Sequence, residues 1–456
     1  MTSQPDRDGA RARRVVVIGG GASGALTAMQ LLRHGDARLS VTIVEPSEEL
    51  AKGAAFSTRD PWHRLNVPAA TMSAFPGDPD HFRAWLDVPA TSFPARADYG
   101  RYLAAVLEEA RAASSASFRH LRARATRLVD GVDGLGVTVD ATSEPLLADA
   151  VVLATGNTPP SLPSGLEPMR GDPRLVASPW APAALDPVVD GETVLILGTG
   201  HTALDLAASV LRRHPAASVV AVSRRGELPR AHEDPWRPRL PEPIFDVATF
   251  RTFADPLAEA EAQVRAHGDD WRRALDSLRP IHQQLWLAMD GATRRRFTSE
   301  WRRTWELHRS RVPAEVMRAA RGWIAEGRLT LSAGTIADTE SHGSRVRVRF
   351  SGAGDPAATL AVDRILLAIG PDERPASNPL LAAGIEDGLL RADELELGPD
   401  VDPATGRVRD AAGSTARPIW AMGPLRRGAV WECIAIPEIR DQAARLAEEL
   451  LGPGPA

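Results

Sequence analysis

The sequence predicts an α/β protein of two doubly wound parallel-sheet units, the second inserted in the first and itself carrying a helical insertion. Three observations predict it. A short β-run, a glycine-rich turn and an apolar helix follow one another at Val15 to Leu32, and the same grammar recurs at Thr193 to Arg213. Between Arg230 and Arg328 strand signals vanish and long amphipathic stretches take over. The chain then returns to β-runs and closes on one more strand and a long helix, so the elements alternate as a parallel sheet requires.

At 456 residues the chain is about three times the ~150 residues usual for one domain and can bury a large core without staples. Its 43% hydrophobic and 25% charged residues are those of an ordinary globular protein, which argues against a disordered or fibrous chain. Lys52 is the lone lysine among 54 basic residues, so cationic contacts fall to planar guanidinium forks suited to carboxylate and phosphate. The net charge is −5 and no basic run exceeds three residues, so nucleic acid is not an expected partner. The single cysteine, Cys433, excludes a disulfide framework, a four-thiolate zinc site and a CxxC pair, and with them dithiol reductase chemistry. No metal site is expected. The apolar run Val15 to Ile18 is too short for a signal segment or for a span of about 20 residues, so the expectation is a cytoplasmic protein with no membrane partner.

The first unit reads Val15 to Ile18, then Gly19-Gly20-Gly21-Ala22-Ser23-Gly24, then a helix from Ala25 to Leu32. This is G-x-G-x-x-G between strand and helix, the Rossmann-like dinucleotide turn. Gly19 permits the tight turn, Gly21 lets the backbone approach a pyrophosphate with Ser23 beside it, and Gly24 lets helix and strand pack closely. The next strand, Leu39 to Val44, ends in Glu45, where a carboxylate can accept hydrogen bonds from ribose hydroxyls.

In the second unit the strand Thr193 to Leu197 meets Gly198-Thr199-Gly200-His201-Thr202, then a helix from Ala203 to Arg213 and a strand from Ser218 to Val222. That strand ends in Ser223-Arg224-Arg225-Gly226, with no acid. Arginines there suit a 2′-phosphate, which a carboxylate would repel, so the second site favours NADPH and the first an unphosphorylated ribose. The alternative for Arg224 and Arg225 is a solvated charged turn.

Two nucleotide sites in one chain point to an electron relay, with one nucleotide a bound flavin and the other a hydride donor that comes and goes. Two further apolar strands are expected to end at a cofactor: Ala150 to Leu153, running into Ala154-Thr155-Gly156, and Arg364 to Ala368, running into Ile369-Gly370-Pro371. In the insertion, Trp271, Trp286, Trp301, Trp305 and Trp323 read as a helix-packing surface, while the polar run Trp305 to Arg311 could instead line a substrate or nicotinamide channel. Near the end, Pro418 to Met422 is a strand, Gly423-Pro424 begins a turn, and Pro437 opens a helix through Leu450. The unpaired N–H groups of that helix start suit the N1/O2 edge of a reduced isoalloxazine. Cys433 reads as a buried small residue.

Together these motifs resemble the two-dinucleotide-binding flavoproteins, the superfamily of glutathione-reductase-like enzymes and class B flavin monooxygenases. More narrowly, the chain is similar to a bacterial FAD/NAD(P)-binding protein family with a GGGxSG start. The matching pieces include Leu65 to Pro68, Met72-Ser73, Asp98 to Leu103, Trp305 to Pro313 and Gly423 to Arg440. The resemblance implies FAD at Gly19, Gly21, Gly24 and Glu45, with Gly423 on the flavin side, and NADPH at Gly198, Gly200, Arg224 and Arg225, delivering hydride to the flavin. Asn66 could reach the flavin edge or simply form a turn. The expected domains are 1–165 and 346–456 for FAD and 185–345 for NADPH, the last holding the helical insertion 231–328.

Two departures from the superfamily stand out. The F-x-G-x-x-x-H run of flavin monooxygenases is missing, its place taken by Leu175 to Trp180, and Gly423-Pro424 stands where many relatives have Gly-Asp. The leading expectation is a monooxygenase that uses FAD, NADPH and molecular oxygen to hydroxylate a small amine-bearing, acidic substrate through a C4a-hydroperoxyflavin; N-hydroxylases among distant relatives give the amine its weight. Arg426 and Arg427, with Arg309 and Arg311, could fix a substrate carboxylate, and Asn66 and Arg427 are the candidate catalytic residues. The alternatives are an NADPH-dependent flavin reductase or oxidase acting on a quinone, an unsaturated compound or oxygen without atom insertion, and a flavin-binding sensor.

Overall fold

The computed structural model describes residues 12–131, 134–181, 183–352 and 359–452. The outermost ends of the expected FAD-binding segments lie outside them. Apolar runs such as Val15 to Ile18 and Ala150 to Leu153 are buried on both faces, and such runs form parallel sheets covered on both sides. The first sheet is five parallel strands in the spatial order Ile419–Ala421, Ala150–Leu153, Arg13–Ile18, Leu39–Val44 and Ser117–Leu121. On one face, the helix Ala22–His34 packs Leu26 and Met29 into the same core as Ile439 and Leu446 of the C-terminal helix Ile436–Leu451. On the other face lie Leu380 and Leu390 and the antiparallel sheet Ala125–Gly131, Gly134–Val139 and Leu146–Ala148.

The second sheet has the spatial order Leu329–Ala333, Ser218–Ser223, Thr193–Leu197, Arg364–Leu367 and Leu175–Val176, again parallel. This corrects the sequence expectation at both ends of that domain. Arg364–Leu367, assigned with 346–456 to the first unit, pairs with Thr193–Leu197 because its apolar residues fill a central, two-sided slot; Leu175–Val176 lies before the expected boundary at 185. The strands Thr335–His342, Arg345–Ser351 and Thr359–Val362 form an antiparallel sheet whose apolar side shares a core with the second sheet.

The helical insertion is also shorter than expected. It is pinched off where Ala231 bridges Val312, with the His232 N–H donating to the Val312 carbonyl at 2.8 Å and the Val312 N–H to Arg230 at 2.9 Å. The following helix, Ala314–Ala325, packs Met317 and Ala320 into the core beneath the second sheet and leads into Leu329–Ala333, so it is the sheet's own crossover. Inside the insertion are short helices, among them Pro256–Ala266, Trp271–Ser277, His282–Ala288 and Arg302–Arg309, with a π-helical turn at Phe297–Trp301.

Side chains lock the two units together. Ser209, on the second unit's helix His201–Arg213, donates its hydroxyl to Asp60 Oδ2 of the first at 2.5 Å. Because that proton goes to Asp60, His63 presents Nε2–H to Ser209 Oγ at 2.8 Å and accepts the Thr58 hydroxyl at Nδ1 at 2.7 Å. Arg213 reaches Asp60 at 2.7 Å, and Arg96 faces Asp205 at 3.3 Å.

Candidate functional site

In both sheets the order of successive strands reverses beside the first glycine of the turn, and a crevice opens there at the strand ends. The two turns obey the same steric rule. Gly19 has φ +105° and a Cβ there would stand 2.3 Å from the Ala154 carbonyl oxygen; Gly198 has φ +130° and a Cβ would stand 2.3 Å from the Ala368 carbonyl oxygen. Only glycine allows the neighbouring strand this close.

At the first turn, a Cβ at Gly24 would lie 1.9 Å from the Gly19 carbonyl oxygen, so helix and turn touch backbone to backbone. Gly21 starts the helix Ala22–His34 without a side-chain cap, leaving its first N–H groups for a ligand. Glu45 accepts the Gly20 N–H at 2.8 Å on Oε2 and the Ser47 N–H at 2.9 Å on Oε1. The carboxylate is thereby fixed at the lip, and each oxygen keeps a lone pair for a ribose hydroxyl.

From this lip a cavity of about 1200 Å³ runs past Thr155 and Gly156 to Arg427, Trp431 and Glu432. It exceeds the roughly 300–1000 Å³ of ordinary small-molecule pockets and suits an extended dinucleotide with room at one end. Ser23 and Asn66 also line it, and the Asn66 carbonyl oxygen accepts from His232 Nε2 at 2.9 Å. Among the described residues the Asn66 carboxamide has no hydrogen-bond partner, so it is free to meet a ligand. Ile436 brings the uncapped start of the last helix to the wall, with Pro437 in its first turn. Gly423 supports rather than lines: it has φ +61°, a Cβ would stand 2.4 Å from Ser23 Oγ, and its N–H donates to Gln442 at 2.9 Å. These features, an uncapped helix start, a glycine cradle and an anchored acid, fit FAD.

At the second turn Gly200 begins the helix His201–Arg213, again uncapped, with Thr202 in its first turn, and a Cβ on Gly200 would meet nothing within 4 Å. Thr199 shares a hydrogen bond of 2.8 Å with Ser223, which stands where the first unit has its acid. Arg224 and Arg225 are exposed and, among the described residues, neither guanidinium has a partner. A phosphate would meet no competing carboxylate there.

The arginines expected to take a substrate carboxylate are otherwise engaged. Arg427 pairs with Glu373, which also takes Arg302 at 2.5 and 2.9 Å. Arg426 is buried on the far side of its short helical turn and donates to the Pro403 carbonyl at 2.8 Å, because the helical step carries adjacent residues to different faces. Arg311 pairs with Asp276, and Arg309 faces Glu432 at 3.6 Å. A substrate carboxylate at Arg427 would therefore have to displace Glu373, and one at Arg309, whose Nε has no hydrogen-bond partner among the described residues, would meet the Glu432 carboxylate 3.6 Å away. Neither acid is among the sequence-predicted residues, although Glu432 had a signal: it is the lone charge in the apolar stretch Ala429 to Pro437. Burial alone would raise the Glu432 carboxyl, but Arg309, then His282 and the Trp305 indole N–H at 2.9 Å, outweigh it and hold it at about 2. Cys433 is fully buried, and burial pushes its thiol up to about 12, which leaves it inert. Among the described residues no helix is long and apolar enough to cross a membrane, and no cluster of three or more His, Cys, Asp or Glu could hold a metal ion.

Residues 16–158 match a family model described as FAD-NAD(P)-binding. No curated protein sequence matches the chain. Among solved structures, an ornithine N-hydroxylase of Kutzneria sp. 744, described with reduced FAD, NADP+ and L-ornithine, is 16% identical with a TM-score of 0.62, over 96% of this chain and 99% of that one. The L-lysine 6-monooxygenase of Pseudomonas syringae is 18% identical with a TM-score of 0.63, covering 96% and 98%. The thioredoxin reductase of Lactococcus lactis is 13% identical with a TM-score of 0.55, covering 96% and 97%. The chain thus has the fold of the two-dinucleotide-domain flavoproteins, with an FAD-NAD(P)-binding first unit.

Proposed function

We propose that the protein is an FAD-dependent, NADPH-consuming monooxygenase that hydroxylates a small amine. One observation carries this reading: a single cavity joins the first glycine turn to a wall made by Arg427, Trp431 and Glu432, so a nucleotide and a small molecule can share one space. The names of the ornithine and lysine enzymes of the same fold support the amine, and the unpaired Arg224 and Arg225 support NADPH.

Bound FAD would supply the relay of two electrons from NADPH and the activation of oxygen. In the overall reaction an amine, O2, NADPH and a proton give a hydroxylamine, water and NADP+. The chain's own part is binding and orientation. Glu45 holds ribose hydroxyls at one end, and the uncapped helix start at Ile436 places partial positive charge along the wall. At the other end Glu432, ionised at neutral pH, attracts and orients the ammonium form of the amine, which releases a proton to water before its nitrogen takes up oxygen. Arg427, held by Glu373, offers a fixed cation beside Trp431, its guanidinium 5.1 Å from the ring centre.

The test is to incubate the FAD-loaded protein with NADPH, 18O2 and a panel of amines. Faster NADPH oxidation with one amine, and one 18O in its hydroxylamine product, is the expected result. NADPH oxidation that yields only hydrogen peroxide with every amine, or that reduces a quinone without oxygen transfer, overturns the reading in favour of an oxidase or reductase.

A further inference from the structure

Behind the wall that ends the large cavity lies a second one of about 520 Å³, enclosed by the helical insertion. Trp305, Trp431 and Glu432 line both. Its volume is that of a small-molecule site. Most of its surface is aromatic or aliphatic, with Phe245, Phe250, Leu257, Leu285, Trp286 and Phe297 prominent; of the charged groups at its edge, Arg265 pairs with Glu261, Arg272 donates to the Ala231 carbonyl at 2.9 Å, and the exposed Arg230 has no side-chain partner among the described residues.

Three features set this chamber apart from ordinary core. His282 lines it and is buried, yet among the described residues neither ring nitrogen has a hydrogen-bond partner, whereas buried polar atoms are nearly always satisfied. Trp431 holds φ +40°, a strained conformation for a bulky residue, and is kept there by stacking on Trp286 at 5.3 Å and 27°. The π-helical turn Phe297–Trp301, a form frequent at functional sites, contributes two lining rings.

We propose that this second cavity takes the apolar body of an arylalkylamine or long-chain alkylamine, whose nitrogen rests against Glu432 at the wall shared with the large cavity. Glu432 Oε1 accepts from Trp305, while Oε2 has only Arg309, at 3.6 Å, beyond hydrogen-bond reach, and so keeps an open acceptor for an ammonium. His282 offers one donor and one acceptor to a further polar group on the ligand. An α-amino acid inserted body-first would strip water from its carboxylate and second ammonium against aromatic rings, with the guanidinium groups of Arg230 and Arg272 only at the edge of the chamber, a cost that an apolar body does not meet. The assignment of this chamber to a substrate rests on the monooxygenase reading, but the chamber's binding preference can be measured without turnover.

The experiment is calorimetric titration of the FAD-loaded protein, without NADPH, with tryptamine, its uncharged analogue tryptophol, and L-ornithine. Tryptamine is expected to bind once per chain, with tryptophol and ornithine each weaker by about ten-fold or more. Ala260→Trp and Val264→Trp, one helical turn apart on the lining helix, fill the chamber from two positions and should each abolish tryptamine binding while keeping flavin content and the far-ultraviolet circular dichroism spectrum. Glu432→Gln should bring tryptamine down to the affinity of tryptophol. Ornithine binding as tightly as tryptamine, or tryptamine binding undiminished in both tryptophan variants, overturns the proposal. Tight tryptamine binding without amine-dependent oxygen transfer would instead fault the monooxygenase reading and leave the chamber's preference for an apolar amine standing.

Discussion

Trp305 donates its indole N–H to Glu432 Oε1 at 2.9 Å, joining two residues 127 apart in sequence and tying the helical insertion to the C-terminal segment of the first unit. The acceptor is a half-buried ionised carboxylate, so the bond is of the charged kind that contributes more than a neutral one. Trp305→Phe keeps a ring next to Phe297 but removes the donor. Urea unfolding should show a loss of about 1.5–3 kcal/mol, the range for a hydrogen bond to a charged group. Unchanged stability would mean that the indole does not hold Glu432 in solution.

The glycine turn makes a sharper demand. In Gly24→Ala the new methyl would lie 1.9 Å from the Gly19 carbonyl oxygen, and in Gly19→Ala it would lie 2.3 Å from that of Ala154, at a φ that alanine rarely adopts. Both variants should purify with much less flavin per chain, read from visible absorbance. Gly77→Ala, where a Cβ meets nothing within 4 Å, should retain the wild-type flavin content.

What the sequence made legible was whatever lies close along the chain. Gly19 to Gly24 and Glu45 belong to one strand-turn-helix-strand unit whose geometry is local, and the structure brings them to one lip. Partnerships between distant segments were not legible. Arg427 reads as a free cation beside a ligand until Glu373, 54 residues earlier, is seen to hold it. Arg426 looks equivalent to its neighbour, yet about a third of a helical turn sends it to the Pro403 carbonyl. Arg364–Leu367 has the composition of any buried strand, and composition does not say which of two parallel sheets has the vacant central slot. The tryptophans of the insertion read as packing surface; Trp323 does pack into the second unit's core, and Trp286, Trp301 and Trp305 pack with Phe297 and Trp431, but together with Trp271 they also line a cavity. Helical periodicity cannot separate these outcomes, since it specifies the face and not what fills it.

Arg224 and Arg225 lie at the end of a strand whose serine, Ser223, points to Thr199 rather than toward a ribose phosphate. A 2′-phosphate would therefore depend on the two guanidinium groups. Arg224→Ser should lower kcat/KM for NADPH by roughly ten- to a hundred-fold, as expected for one or two charge-assisted hydrogen bonds, and leave that for NADH nearly unchanged. Steady-state kinetics with each nucleotide decides it; an equal loss with both would place the 2′-phosphate elsewhere.

Stability should fall on acidification between pH 6.5 and about 4, where buried histidines outnumber the carboxyls raised by burial. Burial lowers the pKa of His63, His201, His232 and His282 to about 4, from an ordinary value near 6.5. As pH falls, the unfolded chain takes up these protons before the folded one does, so the stability they contribute is complete above about pH 6.5 and lost toward pH 4. Asp205 and Asp393 work in the opposite direction. Burial raises them to about 7 and about 6, so the folded state holds protons that the unfolded state has released, and they stabilise increasingly as pH falls toward 3.8. With four histidines against two carboxyls, the urea midpoint should decline between pH 6.5 and about 4. His282 is the cleanest probe, because neither of its ring nitrogens has a bond to lose among the described residues. His282→Phe, close in volume and not titratable, should flatten the decline; a slope equal to the wild type's would mean that His282 is not a buried neutral imidazole.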